Sequence, residues 1–251
     1  MALLSTTAIL LRSYPFSETS QILRFYSDSH GVLAAMAKGV RRSGGKRGGA
    51  LRTFSEGILS VGFRDNRDLQ TFREFSTTRT RPGLGTDPVR LAAASVLGEL
   101  ILQHAEGEGN PLLFASLGRG MDRMESAHRN RLLSDLLVHL WSLIQGLGFG
   151  PVVHECVQCG SGFSEGEMGR FDFSAGGLRC HSCQESTQGP RMGPVARAQL
   201  HSLLDGRPPE ELTKPLTHLR VASDFVTYHI SGGTPLRSMA VLGDLIAREN
   251  A

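Results

Sequence analysis

All four cysteines of this 251-residue chain fall in one short stretch, as Cys156-Val157-Gln158-Cys159 and Cys180-His181-Ser182-Cys183, two C-x-x-C pairs with twenty residues between them. A C-x-x-C turn aims two thiolates at one point, and two such turns supply the four ligands of a closed tetrahedral zinc site. Gly160 and Gly162 follow the first pair, and Gly176 and Gly177 precede the second. Those glycines permit the tight turns that bring backbone amides near the sulfurs. The expectation is one structural Zn2+ held by Cys156, Cys159, Cys180 and Cys183, which folds its neighbourhood and leaves no position open for chemistry. Competing readings fit less well. Four cysteines are too sparse for a disulfide framework in a chain of this length with no export signal. A thioredoxin-like pair explains one C-x-x-C but not two. A zinc deaminase requires H-x-E ahead of P-C-x-x-C, whereas His154, Glu155 and Cys156 are consecutive. His154 and His181 flank ligands, but four thiolates already fill the shell, so both are expected at the surface or behind the ligands.

Hydrophobic content of 40% and a mean hydropathy of −0.13 describe a globular chain. No apolar run approaches the ~18–20 residues that cross a bilayer. The start, Met1-Ala2-Leu3-Leu4-Ser5, has no charged n-region. These features point to no membrane and to a cytoplasmic, reducing compartment, which suits thiolate zinc. The net charge of +3 conceals an asymmetry. Residues 1–81 hold 13 Lys and Arg against 6 Asp and Glu, and residues 82–251 hold 14 against 18. A basic first part suggests a polyanionic partner.

Residues 1–81 read as five short strands, near 6–14, 20–27, 32–38, 55–63 and 69–75. Asp28-Ser29-His30-Gly31 and Asp65-Asn66-Arg67-Asp68 supply turns. So few strands fit a small five-stranded OB-fold barrel, with an SH3-like barrel as runner-up. Between the third and fourth strands runs a cationic, glycine-rich loop carrying Lys38, Arg41, Arg42, Lys46, Arg47 and Arg52, and no acid occurs from Ser29 to Ser55. A charge run is often only a solvated face. Here glycine lets the backbone approach a phosphate chain that Lys and Arg neutralise, which favours a phosphate contact. A nucleotide P-loop is excluded, because Val40 and Arg47 occupy positions that need glycine and Ser or Thr. Phe25, Tyr26, Phe54, Phe63, Phe72 and Phe75 interleave with the charges. A barrel this small must bury half of these or more. Tyr26, with its polar tip, is the first choice for an exposed base-stacking platform. Arg12, Arg24, Arg64, Arg67 and Arg73 extend the basic face.

A linker, Arg79 to Pro88, leads into helices. Asp87 caps one from Pro88 to about Ala105, Asn110 caps the next from Pro111 to about Ala127, and a third runs from about Asn130 to Leu147. Helices resume near 195–204, 214–230 and 235–248. His104, His128, His139, His218 and His229 have no recurring partner spacing and read as ordinary helix residues. The fold class is α+β multidomain: an N-terminal OB-fold barrel (1–81), a helical domain in two parts (82–151 and 194–251) and a zinc module (152–193) inserted between them. No nucleophile elbow and no acid–base carboxylate pair emerges, so the chain reads as a binding protein and not an enzyme.

The order of these features resembles the RecO family of bacterial recombinational repair proteins. The resemblance rests on Thr6-Ala8-Ile9-Leu10 through Tyr14-Ser17-Glu18-Thr19-Ser20, on His30-Gly31-Val32-Leu33 to Lys38-Gly39-Val40-Arg41-Arg42, and on Leu51-Arg52-Thr53-Phe54. Gly148-Phe149-Gly150-Pro151, Gly176-Gly177 and the two cysteine pairs complete it, so that it spans nearly the whole chain. It implies a DNA-binding recombination mediator without turnover. Such a protein binds single- and double-stranded DNA, anneals complementary strands, works with RecR, engages the C-terminal tail of SSB, and helps RecA load on SSB-coated DNA near the nucleoid. The signature residues Lys38, Arg41 and Arg42 carry over to DNA contact, and the four cysteines to zinc. A leucine-lined groove rimmed by Arg129 or Arg131 suits the acidic tail on chemical grounds. Alternatives from other classes are an RNA-binding zinc protein linked to translation or RNA processing, a zinc-containing nucleic-acid enzyme, and a protein-only scaffold.

Overall fold

The computed structural model describes residues 2–40, 51–105, 107–185 and 187–249. The chain forms two compact units, Met1–Glu125 and Ser126–Ala251. In the first, strands β1 (Ala2–Pro15), β2 (Gln21–Ser27), β3 (Gly31–Ala37), β4 (Glu56–Phe63) and β5 (Leu69–Arg79) close into a barrel in the order β1-β2-β3-β5-β4, with β4 returning to β1. Only β3 and β5 pair in parallel. Closure removes the exposed strand edges that an open sheet of this size would carry. The interior is filled by alternate residues, among them Ala8, Leu10, Leu23, Phe25, Leu33, Ala35, Leu59, Val61 and Phe75. The Phe25 and Phe75 rings meet at 5.2 Å. Each fully buried large side chain contributes about 1.5–3 kcal/mol over exposure, which this small barrel needs.

A bulge interrupts β1. Leu10 faces Phe25, but the next paired residue is Arg12, opposite Arg24, so Leu11 is extra. A one-residue insertion reverses which face each later side chain takes. Ala8 and Leu10 point inward; after the bulge Ser13 pairs with the core residue Leu23, while Arg12 and Tyr14 pair with Arg24 and Ile22. Arg12 and Tyr14 are therefore turned outward, and every residue from Arg12 to Glu18 is exposed.

Helices α1 (Pro88–His104) and α2 (Pro111–Ser126) complete the first unit. Asp87 accepts from the amides of Val89 and Arg90, and Asn110 from that of Leu113, so both expected caps form. Phe54 sits at the exit of the basic loop with φ of +67°, a left-handed conformation unusual for an aromatic residue. Three contacts hold it there. Its amide donates to the Leu10 carbonyl at 2.6 Å, its carbonyl accepts from Arg81 Nη1 at 2.7 Å, and its ring is buried beside Gly98 of α1. The Arg81 side chain is wholly buried and also meets Asp122 at 2.7 Å and Glu56 at 3.1 Å. One guanidinium thus ties β4, α2 and the strained turn together.

The second unit contains α3 (Leu132–Gly146), α4 (Pro194–Leu204), α5 (Pro215–His229) and α6 (Arg237–Glu249). Trp141 of α3 is fully buried and meets Phe225 of α5 edge-on at 5.4 Å. The cysteine segment adds a three-stranded sheet, β7-β6-β8, from β6 (Gly169–Asp172), β7 (Gly177–Arg179) and β8 (Arg191–Met192). That sheet was not anticipated from the sequence. Phe171 on β6 lies 6.3 Å from Phe225, which joins the sheet to the helical core. No helix among the described residues is long and apolar enough to cross a membrane.

Candidate metal centre and basic face

Two opposed loops build the cysteine cluster. The amide of Cys156 donates to the Ser161 carbonyl at 2.9 Å and that of Gly160 to the Cys156 carbonyl at 2.8 Å, closing the first turn; Gly160 takes φ of +72°. The amide of Cys183 donates to the Cys180 carbonyl at 3.1 Å, closing the second. The loops are stitched together by Val157 N to Leu178 O, Leu178 N to Val152 O and Val152 N to Gly176 O. Gly177 lies where this stitch is tightest, since a Cβ there would fall 2.3 Å from the Val152 carbonyl oxygen. The result brings ligand atoms of Cys156, Cys159, Cys180 and Cys183 within 4.8 Å of one another.

The thiols do not share one environment. Burial alone would raise Cys156, but amide donors from Cys180, Cys159 and Gln158 outweigh it and hold the thiol down, to about 6. The Ser161 hydroxyl and amide lower Cys159. Cys180 is raised by burial, and Cys183 is pushed up to about 12, first by its hydrogen bond to Cys180. Four negative sulfurs this close repel one another strongly, and a divalent cation among them would offset that repulsion. The donor set, all sulfur and convergent, therefore fits a metal ion of the soft-ligand class. His154 and His181 stand outside it. His154 is exposed beside Glu155, and His181 Nδ1 pairs with Gln184 Nε2 at 2.9 Å.

The expected nucleic-acid residues scatter more widely. Lys38 and Arg52, at the two ends of the loop, are exposed. Arg41, Arg42, Lys46 and Arg47 lie outside the described residues. Arg24 is half-buried and donates through Nη2 to the Leu102 carbonyl of α1 at 3.2 Å, so it holds a helix end in place instead of standing free in solvent. Tyr26 requires correction. It is 1% exposed, its ring stands 6.2 Å from Phe114 of α2, and burial pushes its phenol up to about 12. A base cannot stack on it. Its polar tip suggested a wet position, but the outward face of β2 is the face that the helices cover. Phe25, Phe54 and Phe75 are buried as well, and Phe63 and Phe72 pack partly against the core. The exposed aromatic residues of the barrel, Tyr14 and Phe16, were missed. Their signal was Pro15 between them, which marks the end of a strand; Tyr14 is still paired with Ile22 there and Phe16 stands just past the last pair.

Comparison with known proteins bears on both units. Residues 1–81 match the family described as Recombination protein O N terminal, and residues 85–233 that described as Recombination protein O C terminal. The DNA repair protein RecO of Synechococcus elongatus is 34% identical over 155 residues, covering 61% of this chain and 57% of that protein, less than two thirds of its length. The DNA repair protein RecO of Desulfitobacterium hafniense is 30% identical over 77% of this chain and 69% of that protein. That of Rubrobacter xylanophilus is 28% identical over 96% of this chain and 97% of its own length. The two matched segments follow one another in the same chain, the first on the barrel and the second over the cysteine cluster, and by them this chain belongs to the recombination protein O (RecO) family of DNA repair proteins.

Proposed function

We propose that this protein is a recombination mediator without catalytic turnover. It binds single- and double-stranded DNA through its barrel, anneals complementary strands, and with RecR helps RecA load on SSB-coated DNA. One observation carries the reading above the others: a closed five-stranded barrel in the order β1-β2-β3-β5-β4, from which a loop rich in Lys and Arg leaves between β3 and β4. Antiparallel closure with one parallel β3–β5 contact is the arrangement of an OB-fold, which we take this barrel to be.

Two strands pair only when their phosphate repulsion is lowered while the bases stay free. Lys38, Arg41, Arg42, Lys46, Arg47 and Arg52 neutralise backbone without reading sequence, and the pairing itself supplies specificity. Cys156, Cys159, Cys180 and Cys183 would hold a Zn2+ ion, which would offset two of the four thiolate charges and fix the two turns, a structural contribution. We place the SSB tail, an acidic peptide, at the cleft of about 290 Å³ lined by Arg129, Arg131, Leu133, Leu212 and Pro215 together with Glu210 and Glu211, with the two arginines as its anchors. Arg129 pairs there with Glu249, which an incoming carboxylate would replace. The direct test is annealing of complementary oligonucleotides, naked and SSB-coated, with and without RecR. Acceleration on naked strands that SSB coating does not abolish is the expected result. Preference for folded RNA, or release of a cleaved or deaminated product, would overturn the reading.

A further inference from the structure

We propose that the tip of the β1–β2 hairpin, Tyr14 and Phe16 with Arg12 and Lys38 beside them, is a stacking platform for the bases of single-stranded nucleic acid. The inference rests on the barrel being a DNA-binding unit and names where bases, as distinct from phosphates, are held.

Four observations converge. The bulge at Leu11 turns Arg12 and Tyr14 to the outer face, a re-aiming that bulges commonly perform next to functional sites. Phe16 follows two residues on, just beyond the Pro15–Gln21 pair that ends the hairpin ladder, and is 62% exposed. Arg12 lies over the Tyr14 ring at 5.1 Å from its centroid, which fixes the ring by cation–π attraction and leaves its other face to a flat partner. The turn is firm: Phe16 N donates to the Ser20 carbonyl at 3.0 Å, and the Ser20 amide to Ser17 Oγ at 3.2 Å.

Register then places charge beside the rings. Pro15 pairs with Gln21, and Gln21 with Ala37, so Lys38 follows at the same end of the barrel as the hairpin tip. The basic loop leaves from that point. Arg73 of β5, exposed, lies two residues beyond Thr71, the partner of Met36, and so extends the cationic border. Glu18 is the one acid in the turn, which assigns the phosphates to the Arg12 and Lys38 side. Exposed rings bordered by cations are what a single strand needs, since any base presents a π-face while its phosphates require neutralisation. A paired duplex cannot offer its bases this way.

The test uses the full-length, metal-loaded protein and three labelled probes: oligo(dT), an abasic strand of equal length, and a duplex. Tyr14→Ala with Phe16→Ala should weaken oligo(dT) binding roughly tenfold or more, from the usual effect of removing one or two stacked rings. Abasic-strand and duplex binding should not change, nor the salt dependence, because no counterion contact is lost. Tyr14→Phe should restore the binding that the ring alone provides. Phe16→Trp should show emission quenched by oligo(dT) and not by the abasic strand. If the double variant holds oligo(dT) as tightly as the parent protein, the platform is wrong while the DNA-binding reading stands. A loss equal on all three probes also overturns it, since stacking cannot weaken an abasic strand. Failure of the parent protein to bind any probe removes both readings together.

Discussion

At the scale of single residues, two buried groups set measurable limits. His218 on α5 is 3% exposed, its Nδ1 has no hydrogen-bond partner among the described residues, and burial lowers its pKa. The folded form therefore gives up its proton at a lower pH than the unfolded chain, whose value is about 6.5. The stability it contributes is complete above that value and is lost as pH falls through the lowered folded value. Denaturant midpoints of the second unit should fall between about pH 7 and pH 5, and His218→Gln should flatten that slope. An unchanged slope would mean that other groups carry the acid sensitivity. Arg81 sets the second limit. Arg81→Met leaves Glu56 without the Arg81 cation, Asp122 with Arg79 alone, and the Phe54 carbonyl without its donor. Both carboxylates keep some exposure to water, so a loss of about 2–3 kcal/mol in the first unit is expected, below the value for a fully buried broken pair. Neither group was legible beforehand. His218 read as an ordinary helix residue and Arg81 as part of a linker, because burial depends on which elements meet, and no local pattern reports that.

Elements were more legible, for reasons that differ from one to the next. Helix starts were readable at Asp87 and Asn110 because a side-chain oxygen placed before an apolar periodic run has one evident use. The cysteine cluster was readable because ligand spacing is a covalent constraint. The three strands around it were not, since runs of two to four residues have no period to detect. The bulge at Leu11 stayed hidden inside the apolar run Ala8-Ile9-Leu10-Leu11, where a change of face leaves no mark. The link between cluster and core gives a test. Phe171 of β6 touches Phe225, which touches Trp141, the one tryptophan in the chain. Removing metal with a strong chelator should loosen β6 and shift Trp141 emission to the red, and Cys156→Ser should do the same without chelator. The barrel contains no tryptophan, so it cannot produce this signal. Emission that stays fixed while bound metal falls to zero would show that the cluster does not support the helical core.

For the whole molecule, the decisive quantity is charge and not shape. Of the net charge of +3, residues 1–81 contribute an excess of seven cations, and the remainder an excess of four acids. If the first part grips phosphate, binding must weaken steeply with salt. For a single strand the log–log slope is about −0.7 per phosphate neutralised. Lys38→Glu, Arg41→Glu and Arg42→Glu together should then reduce the slope by about 2 and lower affinity at all salt concentrations, with no preference among sequences. Lys38 is exposed at the end of β3, so its reversal should leave the barrel intact, which thermal melting can confirm. The stacking residues supply an internal contrast. Loss of Tyr14 and Phe16 should lower affinity without altering the slope, whereas charge reversal should alter both. If the two sets of variants changed affinity and slope in the same proportion, the hairpin tip and the loop would not be separate contacts, and the division of labour between rings and cations would have to be abandoned.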